Sequence, residues 1–364
     1  MNRVSGLRLI GNACVRLKFN GREEEKMKAA YYSGNQTFSV EVDSPKEPEA
    51  GEVRLKIGYC GICGTDMHVY HGAMDARVTT HRVIGHECSA VVDKVGEGVI
   101  GFSKGDPVVV RPLSSCGTCA ACQKGHSHVC QNLKFLGLDT EGAMQEMWTV
   151  PAHTLHALPS DLRLDYAALI EPTAVACHDV ARAKIQPGED VLVIGGGPIG
   201  LLVAMVAREA GGQVVVSEVS DYRLKVAQEL GFVTLDPREV NVAEEMWKRT
   251  GDKGAEVVFE VSGSAPGIET MTEAAAVRGR IVMVAIFSQK PEVDMFAFFW
   301  RELELLGARV YEAADYDRAI ELILSGAIDC GALITDVREL DDILSAFQAL
   351  DGNATAMKSL IKCS

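Results

Sequence analysis

The chain reads Cys116-Gly-Thr-Cys119-Ala-Ala-Cys122-Gln-Lys-Gly-His-Ser-His-Val-Cys130, which places four cysteines at the spacing C-x2-C-x2-C-x7-C. Four thiolates in one loop can surround a zinc ion, and binding then contributes roughly 10–16 kcal/mol to ordering the loop. Buried thiols or disulfides are the alternatives, but adjacent C-x2-C pairs are badly placed to bridge each other. The spacing therefore predicts a closed, structural zinc site, because four protein ligands leave no position for a substrate.

The composition of the chain favours a globular protein that acts on small molecules. Its 364 residues are 47% hydrophobic and 24% charged, which suits two domains. The net charge of −14 disfavours nucleic acid and anionic membranes, since both require a basic surface. No apolar run reaches the length that spans a bilayer. Eleven cysteines, an odd number without a secretory signal, indicate a reducing cytoplasm.

The chain divides into an extension, a β-rich part and an α/β part. Residues 1–26 show no sustained period and are interpreted as an extension and a candidate for disorder, with Met27 as the start of the fold. From Met27 to about residue 157, short β-branched runs broken by Gly and Pro predict an irregular β domain. From about residue 162, helical stretches alternate with apolar strands at 191–194, 213–216, 257–259 and 280–284. This alternation predicts a doubly wound parallel sheet.

A glycine-rich turn follows the first of these strands. It reads Gly195-Gly196-Gly197-Pro198-Ile199-Gly200 and leads into a predicted helix. In this context the motif is typical of dinucleotide binding, because Gly195 permits the turn, Gly197 admits the pyrophosphate and Gly200 lets the helix pack closely.

Glu218 lies at the end of the next predicted strand, where a carboxylate can bind the adenosine ribose hydroxyls. Its charge would repel a 2′-phosphate, which favours NAD over NADP. Alternatively, Glu218 is a solvated acid at a strand end. Arg223 is a second candidate cofactor contact and leaves the NADP alternative open.

A second group of metal-ligand residues precedes the four-cysteine loop. Cys63 and His68 lie in Gly61-Ile-Cys-Gly-Thr-Asp-Met-His68, and His86 and Glu87 follow Gly85. An open site with three protein ligands leaves a position for a substrate oxygen, where zinc acts as a Lewis acid. Taken alone, each short motif could equally be a core cysteine or a surface histidine.

Together these motifs resemble the zinc-containing medium-chain dehydrogenases, and within them the polyol branch of sorbitol, xylitol and butanediol dehydrogenases. The resemblance runs from Met27 to the C-terminus and is carried by GICGTD at 61–66, GHE at 85–87, the four cysteines, IEPTAVACH at 170–178 and GGGPIG at 195–200. It implies a GroES-like catalytic domain at 27–171 and 308–364, with a Rossmann NAD-binding domain at 172–307 inserted. It also implies a homo-oligomer, either a dimer or a tetramer.

The resemblance also implies roles for single residues. Cys63, His86 and Glu87 would hold a catalytic zinc, with Glu171 as a fourth ligand or as the partner of a water at the metal. Thr65 would accept the alcohol proton and pass it to His68. The activity implied is NAD-linked oxidation of a secondary alcohol in a polyol, sugar acid or vicinal diol, since an open metal site favours a second oxygen beside the reacting carbon. Rough alignment adds Phe135, Phe299 and Arg309 as substrate-pocket candidates.

Three alternatives remain at this point. L-threonine 3-dehydrogenases share nearly every motif, although they tend to carry Asp-Pro where this chain has Glu171-Pro172. Galactonate dehydrogenases, which oxidise aldonates, have a similar sequence pattern and are the second alternative. A non-catalytic NAD-binding protein is the third, but such proteins typically lose the ligands of the open site, which are all present here.

Overall fold

The structure is a computed structural model that describes residues 17–19, 22–287, 289–352 and 355–364. The first part of the chain is mostly β, with strands β1 Leu17–Phe19, β2 Arg22–Glu24, β3 Met27–Gly34, β4 Thr37–Asp43, β5 Glu52–Gly61, β6 Arg82–Val83, β7 Glu87–Val95, β8 Pro107–Val110, β9 Leu113–Ser114, β10 Lys134–Phe135, β11 Met147–Pro151 and β12 Leu155–Ala157. Its short helices are α1 Gly64–Tyr70 and α2 Ala120–Gln123.

The middle of the chain alternates helices and strands: α3 Leu164–Ala167, α4 Ile170–Ala183, β13 Asp190–Ile194, α5 Pro198–Glu209, β14 Gln213–Ser217, α6 Asp221–Glu229, β15 Val233–Leu235, α7 Val242–Arg249, β16 Ala255–Glu260, α8 Ala265–Ala274, β17 Ala275–Met283, α9 Met295–Arg301 and β18 Glu304–Gly307. The last part contains α10 Ala313–Leu324, α11 Cys330–Leu333, β19 Ile334–Glu339, α12 Ile343–Gly352 and β20 Lys358–Lys362.

The middle part forms a six-stranded parallel sheet in the order β15-β14-β13-β16-β17-β18. Numbered within this part, the order is 3-2-1-4-5-6, which is that of the dinucleotide-binding doubly wound fold. Residues 191–194 of β13 are buried, as expected for a central strand covered by helices on both faces. The predicted doubly wound sheet is therefore confirmed.

The first and last parts of the chain share one sheet. It has seven strands in the order β12-β8-β7-β5-β20-β19, with β11 also paired to β5. Strand β20 runs antiparallel to β5, with Leu360 opposite Gly61. This pairing matches the expected return of the chain after about Gly307. The predicted boundary at 171/172 falls inside α4, and the domain limits themselves stay a prediction.

The prediction for residues 1–26 lies mostly outside the described residues. In the described portion, β1 pairs antiparallel with β2. Glu25 accepts a hydrogen bond at 2.8 Å from Arg54, whose guanidinium group is buried in the sheet. The end of the extension is thus attached to the fold by a charged pair. Among the described helices, none combines the length and the apolar character needed to cross a membrane.

Candidate active site

The four-cysteine loop has the geometry of a zinc site. The Sγ atoms of Cys119 and Cys122 are 3.5 Å apart, those of Cys119 and Cys130 3.8 Å, and those of Cys130 and Cys116 3.4 Å. Tetrahedral zinc with Zn–S bonds of about 2.3 Å needs sulfurs about 3.8 Å apart, whereas a disulfide needs about 2.05 Å. All four thiols are free. These distances fit a metal ion and exclude the disulfide interpretation of this loop.

Backbone N–H groups donate hydrogen bonds to the sulfurs of this loop. Those of Cys116 and Asn132 each donate to Sγ of Cys130 at 3.3 Å. Hydrogen bonds from the backbone and hydroxyl of Thr118, followed by one from the backbone of Cys119, lower the pKa of Cys116 to about 5. Thiolates are the form that zinc binds.

The second group, Cys63, His86 and Glu87, brings one ligand atom from each residue to within 4.8 Å of the others. Cys63 caps the N-terminus of α1, while Glu87 opens β7 and His86 immediately precedes it. Because Gly61 of β5 lies opposite Glu87 of β7, strand pairing fixes both segments at one sheet end. One sulfur, one nitrogen and one oxygen ligand fit a zinc ion with an open coordination position.

Asp66 supports this group, and sequence reasoning assigned it no role. Its carboxylate is fully buried, and Oδ2 accepts a 2.9 Å hydrogen bond from the Cys63 N–H. Oδ1 lies 3.6 Å from Nδ1 of His86, beyond hydrogen-bond distance, and both atoms lack another partner among the described residues. Its sequence signals were its place in GICGTD at 61–66 and its position three residues after a helix cap, where an acidic side chain bonds back to the cap.

The charges around His86 favour a cation. Burial alone would lower the pKa of His86, but the Asp66 carboxylate and then Cys63 raise it to about 10. A pocket that stabilises a proton on a buried imidazole also stabilises a metal ion in its place. With Nδ1 facing Asp66, Nε2 is left for the metal, as in carboxylate–histidine–zinc arrangements.

Glu171 lies beside these residues but is not one of the three groups that meet within 4.8 Å. It is buried at the start of α4, and burial raises its pKa to about 7. The hydroxyl of Tyr311, which sequence reasoning missed, faces Glu171 without an aligned hydrogen bond. Whether Glu171 binds metal directly or acts through a water stays a prediction.

A cavity of about 660 Å³ connects the candidate metal ligands with the glycine turn. It is lined by Cys63, Met67, Glu87, Gly195, Gly197, Pro198, Ile199, Gly200, Glu218, Arg223 and Lys358, among others. All predicted cofactor contacts are therefore in one cavity with two of the three candidate ligands. Lys358 was missed by sequence reasoning because its partner Glu87 lies far from it in the sequence.

Two positions of the glycine turn cannot take a side chain without strain. Gly195 has φ +106°, a left-handed conformation suited to glycine, and a Cβ at Gly200 would overlap the carbonyl oxygen of Gly195. Pro198 begins α5, so the helix N-terminus points toward the turn. This arrangement fits a pyrophosphate, which binds at helix N-termini through free N–H groups.

Glu218 is buried against the glycine turn. Its carboxylate accepts hydrogen bonds from the N–H groups of Gly196, Val219 and Ser220 at 2.7–2.8 Å. Arg223 approaches it at 3.9 Å. The carboxylate is thus fixed in the lining of the cavity and is not a solvated acid at a strand end. Contact with the ribose stays a prediction.

The remaining predicted residues are more scattered. Thr65 is half-buried and His68 exposed on α1, three residues apart and so on neighbouring faces. Phe135 is buried edge-on against His86, with ring centroids 5.1 Å apart. Phe299 is exposed on α9, and Arg309 donates to the carbonyl of His128 in the zinc loop. Only Phe135 of the three pocket candidates contacts a candidate metal ligand.

Models of known families match both the β-rich part and the α/β part of the chain. Residues 49–160 match the model of the alcohol dehydrogenase GroES-like domain, and residues 198–325 match that of the zinc-binding dehydrogenases. The predicted GroES-like domain is therefore confirmed.

Two relatives are similar over most of the chain. A 2-dehydro-3-deoxy-L-galactonate 5-dehydrogenase from Pseudoalteromonas atlantica is 56% identical, covering 93% of this chain and 99% of the relative. An L-threonine 3-dehydrogenase from Pyrococcus abyssi is 38% identical over 70% of this chain and 74% of its own length.

Solved structures share the whole architecture. A zinc-binding dehydrogenase from Sinorhizobium meliloti, bound to NADP, has a TM-score of 0.86 at 30% identity and covers 93% of this chain and 99% of its own. An alcohol dehydrogenase from Escherichia coli, complexed with NADH, has a TM-score of 0.84 at 29% identity with the same coverage.

Mutations in the two groups of candidate zinc ligands should have different effects on folding and on turnover. We expect Cys116→Ser to lose one zinc ion and much soluble protein, because structural zinc contributes roughly 10–16 kcal/mol to local folding. Cys63→Ser should lose the other zinc and turnover but stay folded and bind NADH. Cys177→Ala, outside both groups, is the control. Metal analysis, thermal unfolding and NADH fluorescence measure these outcomes, and one zinc or none in active wild-type protein would contradict the two-site assignment.

Cofactor choice should depend on Glu218. We expect Glu218→Gln to lower the ratio of kcat/KM with NAD to that with NADP by about 10- to 150-fold, because a hydrogen bond to a charged group contributes about 1.5–3 kcal/mol. The exposed Glu229→Gln on α6 is a matched control. A wild-type enzyme that uses NADP better than NAD would show that Glu218 does not select the cofactor.

Proposed function

The chain belongs to the zinc-dependent medium-chain dehydrogenases, and from this membership we propose that it oxidises the secondary alcohol of a sugar acid with NAD. Its general activity follows from the family: a zinc- and nicotinamide-dependent dehydrogenase acting on a CH–OH group. The observation that carries the finer proposal is the 56% identity, across nearly the full length, to the 2-dehydro-3-deoxy-L-galactonate 5-dehydrogenase. We infer that the substrate is a 2-dehydro-3-deoxyhexonate or a close aldonate.

The chemistry of that substrate class agrees with the open metal site. Carbon 5 of a 2-dehydro-3-deoxyhexonate carries its hydroxyl between the hydroxyls of carbons 4 and 6. An adjacent oxygen gives the site a second contact that fixes the reacting carbon, and such orientation accounts for large rate effects. L-Threonine also has a substituent beside its secondary alcohol, so the threonine dehydrogenase alternative requires a direct test.

We propose a separate role for each residue around the metal. Cys63, His86 and Glu87 would hold a zinc ion, which would supply Lewis-acid chemistry, and a bound nicotinamide would supply the hydride-accepting chemistry. The Thr65 hydroxyl would accept the proton of the substrate hydroxyl while it releases its own proton, which would pass by the cofactor ribose to the exposed His68 and then to solvent. Glu171 binds a neighbouring hydroxyl, and Phe135 forms an apolar wall that limits the access of water.

We further propose that two copies of the chain associate through α9 and β18. Phe299 and Trp300 of α9 are 76% and 72% exposed, and Met295 and Phe296 extend the same apolar face. β18 is an edge strand of the six-stranded sheet, and in the described part of the chain its outer side has no partner strand. A second copy would cover the aromatic face and pair the open edge. The reduced thiols that the zinc loop requires favour the cytoplasm as the compartment.

A substrate panel tests the function. We expect kcat/KM for NAD reduction to be highest with 2-dehydro-3-deoxy-L-galactonate or an aldonate. A hexitol and 2,3-butanediol should be weaker, and ethanol lower by at least about a hundredfold, because it lacks the second oxygen that orients the substrate. Cys63→Ser gives the background rate. Equal or higher kcat/KM with L-threonine, or with a simple primary alcohol, would refute the sugar-acid proposal.

The oligomer proposal is tested by mass in solution. We expect light scattering after gel filtration to give a dimer or tetramer for the wild type and monomers for Phe299→Asp with Trp300→Asp. Ile100→Asp, which changes a 91% exposed residue of the other sheet region, should leave the mass unchanged. A monomeric wild type at micromolar concentration would rule out this interface.

A further inference from the structure

Lys358 is a buried cation beside the candidate zinc ligands, and no step above uses it. It is 5% exposed, its Nζ forms an ion pair with Oε2 of Glu87, and it donates a 3.1 Å hydrogen bond to the carbonyl of Ile62. Burying an ammonium group is costly unless it is paired and hydrogen-bonded. Glu87 supplies the opposite charge, and the carbonyl of Ile62 accepts the hydrogen bond.

Three adjacent strands build this pair. Glu87 begins β7, Lys358 begins β20, and Gly61 of β5 lies between them. A Cβ at position 61 would overlap Oε2 of Glu87 and lie 3.0 Å from Cε of Lys358. The space for the ion pair therefore depends on the absence of a side chain at Gly61.

The pair also affects the charge available to a metal. Four acidic groups interact electrostatically with Lys358: Cys63, Glu87, Asp66 and Glu171. The ammonium group of Lys358, paired with Glu87, partly neutralises the carboxylate. The carboxylate therefore attracts a metal ion less strongly. The ammonium group also repels the metal directly, since charges a few ångströms apart interact strongly in a buried site.

We propose that Lys358 is a positioning residue that restrains Glu87, so that the carboxylate binds the zinc weakly enough to keep the metal electrophilic and one coordination position open. The proposal rests on the zinc site assigned above but not on the identity of the substrate. It predicts that removal of Lys358 changes zinc affinity and kcat in opposite directions: metal binding becomes stronger and catalysis becomes weaker. Loss of a merely structural residue would weaken both.

The test compares Lys358→Met with the wild type as full-length holoenzyme. We expect release of the Cys63-site zinc to a chelator to slow by about 10- to 100-fold, the range over which groups around metal ligands act. With Co²⁺ in that site, the visible absorption bands should shift as Glu87 binds the ion more strongly. kcat should fall, while the Kd for NADH stays unchanged.

Two further variants make the result decisive. Lys358→Gln removes the charge but can still donate a hydrogen bond to the carbonyl of Ile62. The same measurements on this variant test the proposal if Lys358→Met does not fold. Lys362→Met removes an exposed lysine of the same strand and should behave as wild type. Zinc release and a Co²⁺ spectrum equal to wild type, or faster zinc release, in the folded Lys358 variants would overturn the proposal. Failure on sugar acids alone would refute only the substrate assignment.

Discussion

The pairing of β5 with β7 and β20 is the constraint on which the active site depends. β5 leads directly into Ile62 and Cys63, β7 begins with Glu87 directly after His86, and β20 brings Lys358 back from the far end of the chain. None of these segments forms a site alone. Backbone hydrogen bonds between the strands set the register, and a slip of one residue would turn these side chains to the opposite face.

Electrostatics complements this geometry. The acids near His86 create a pocket that favours positive charge, and they raise the pKa of His86 for the same reason. Asp66 contributes from a fully buried position and also binds the Cys63 backbone, so one carboxylate both orients the loop and attracts the metal. The cavity then joins this pocket to the helix N-terminus at the glycine turn, where the cofactor phosphates would bind.

Local patterns were predictable from the sequence, whereas long-range contacts were not. The four-cysteine spacing, the glycine turn and the alternating strands lie within short windows, and the structure has a strand at each predicted position, although β17 begins at Ala275, before the predicted residues 280–284. Asp66 and Lys358 depend on contacts with His86 and Glu87 that only the folded sheet creates. Lys358 is separated from Glu87 by most of the chain, so no periodicity or spacing could connect them. Phe299 and Arg309 were pocket candidates only through the family resemblance, which does not specify the direction of a side chain.

The central claim is that an open zinc site and a dinucleotide cavity meet at the end of β5. Crystals of the protein with zinc and NADH, measured with anomalous diffraction at the zinc absorption edge, test it most directly. The account predicts two zinc peaks per chain, one among the four loop sulfurs and one between Cys63, His86 and Glu87, with the nicotinamide ring facing the second. A zinc peak only in the loop, or a nicotinamide ring bound away from Cys63, would contradict it.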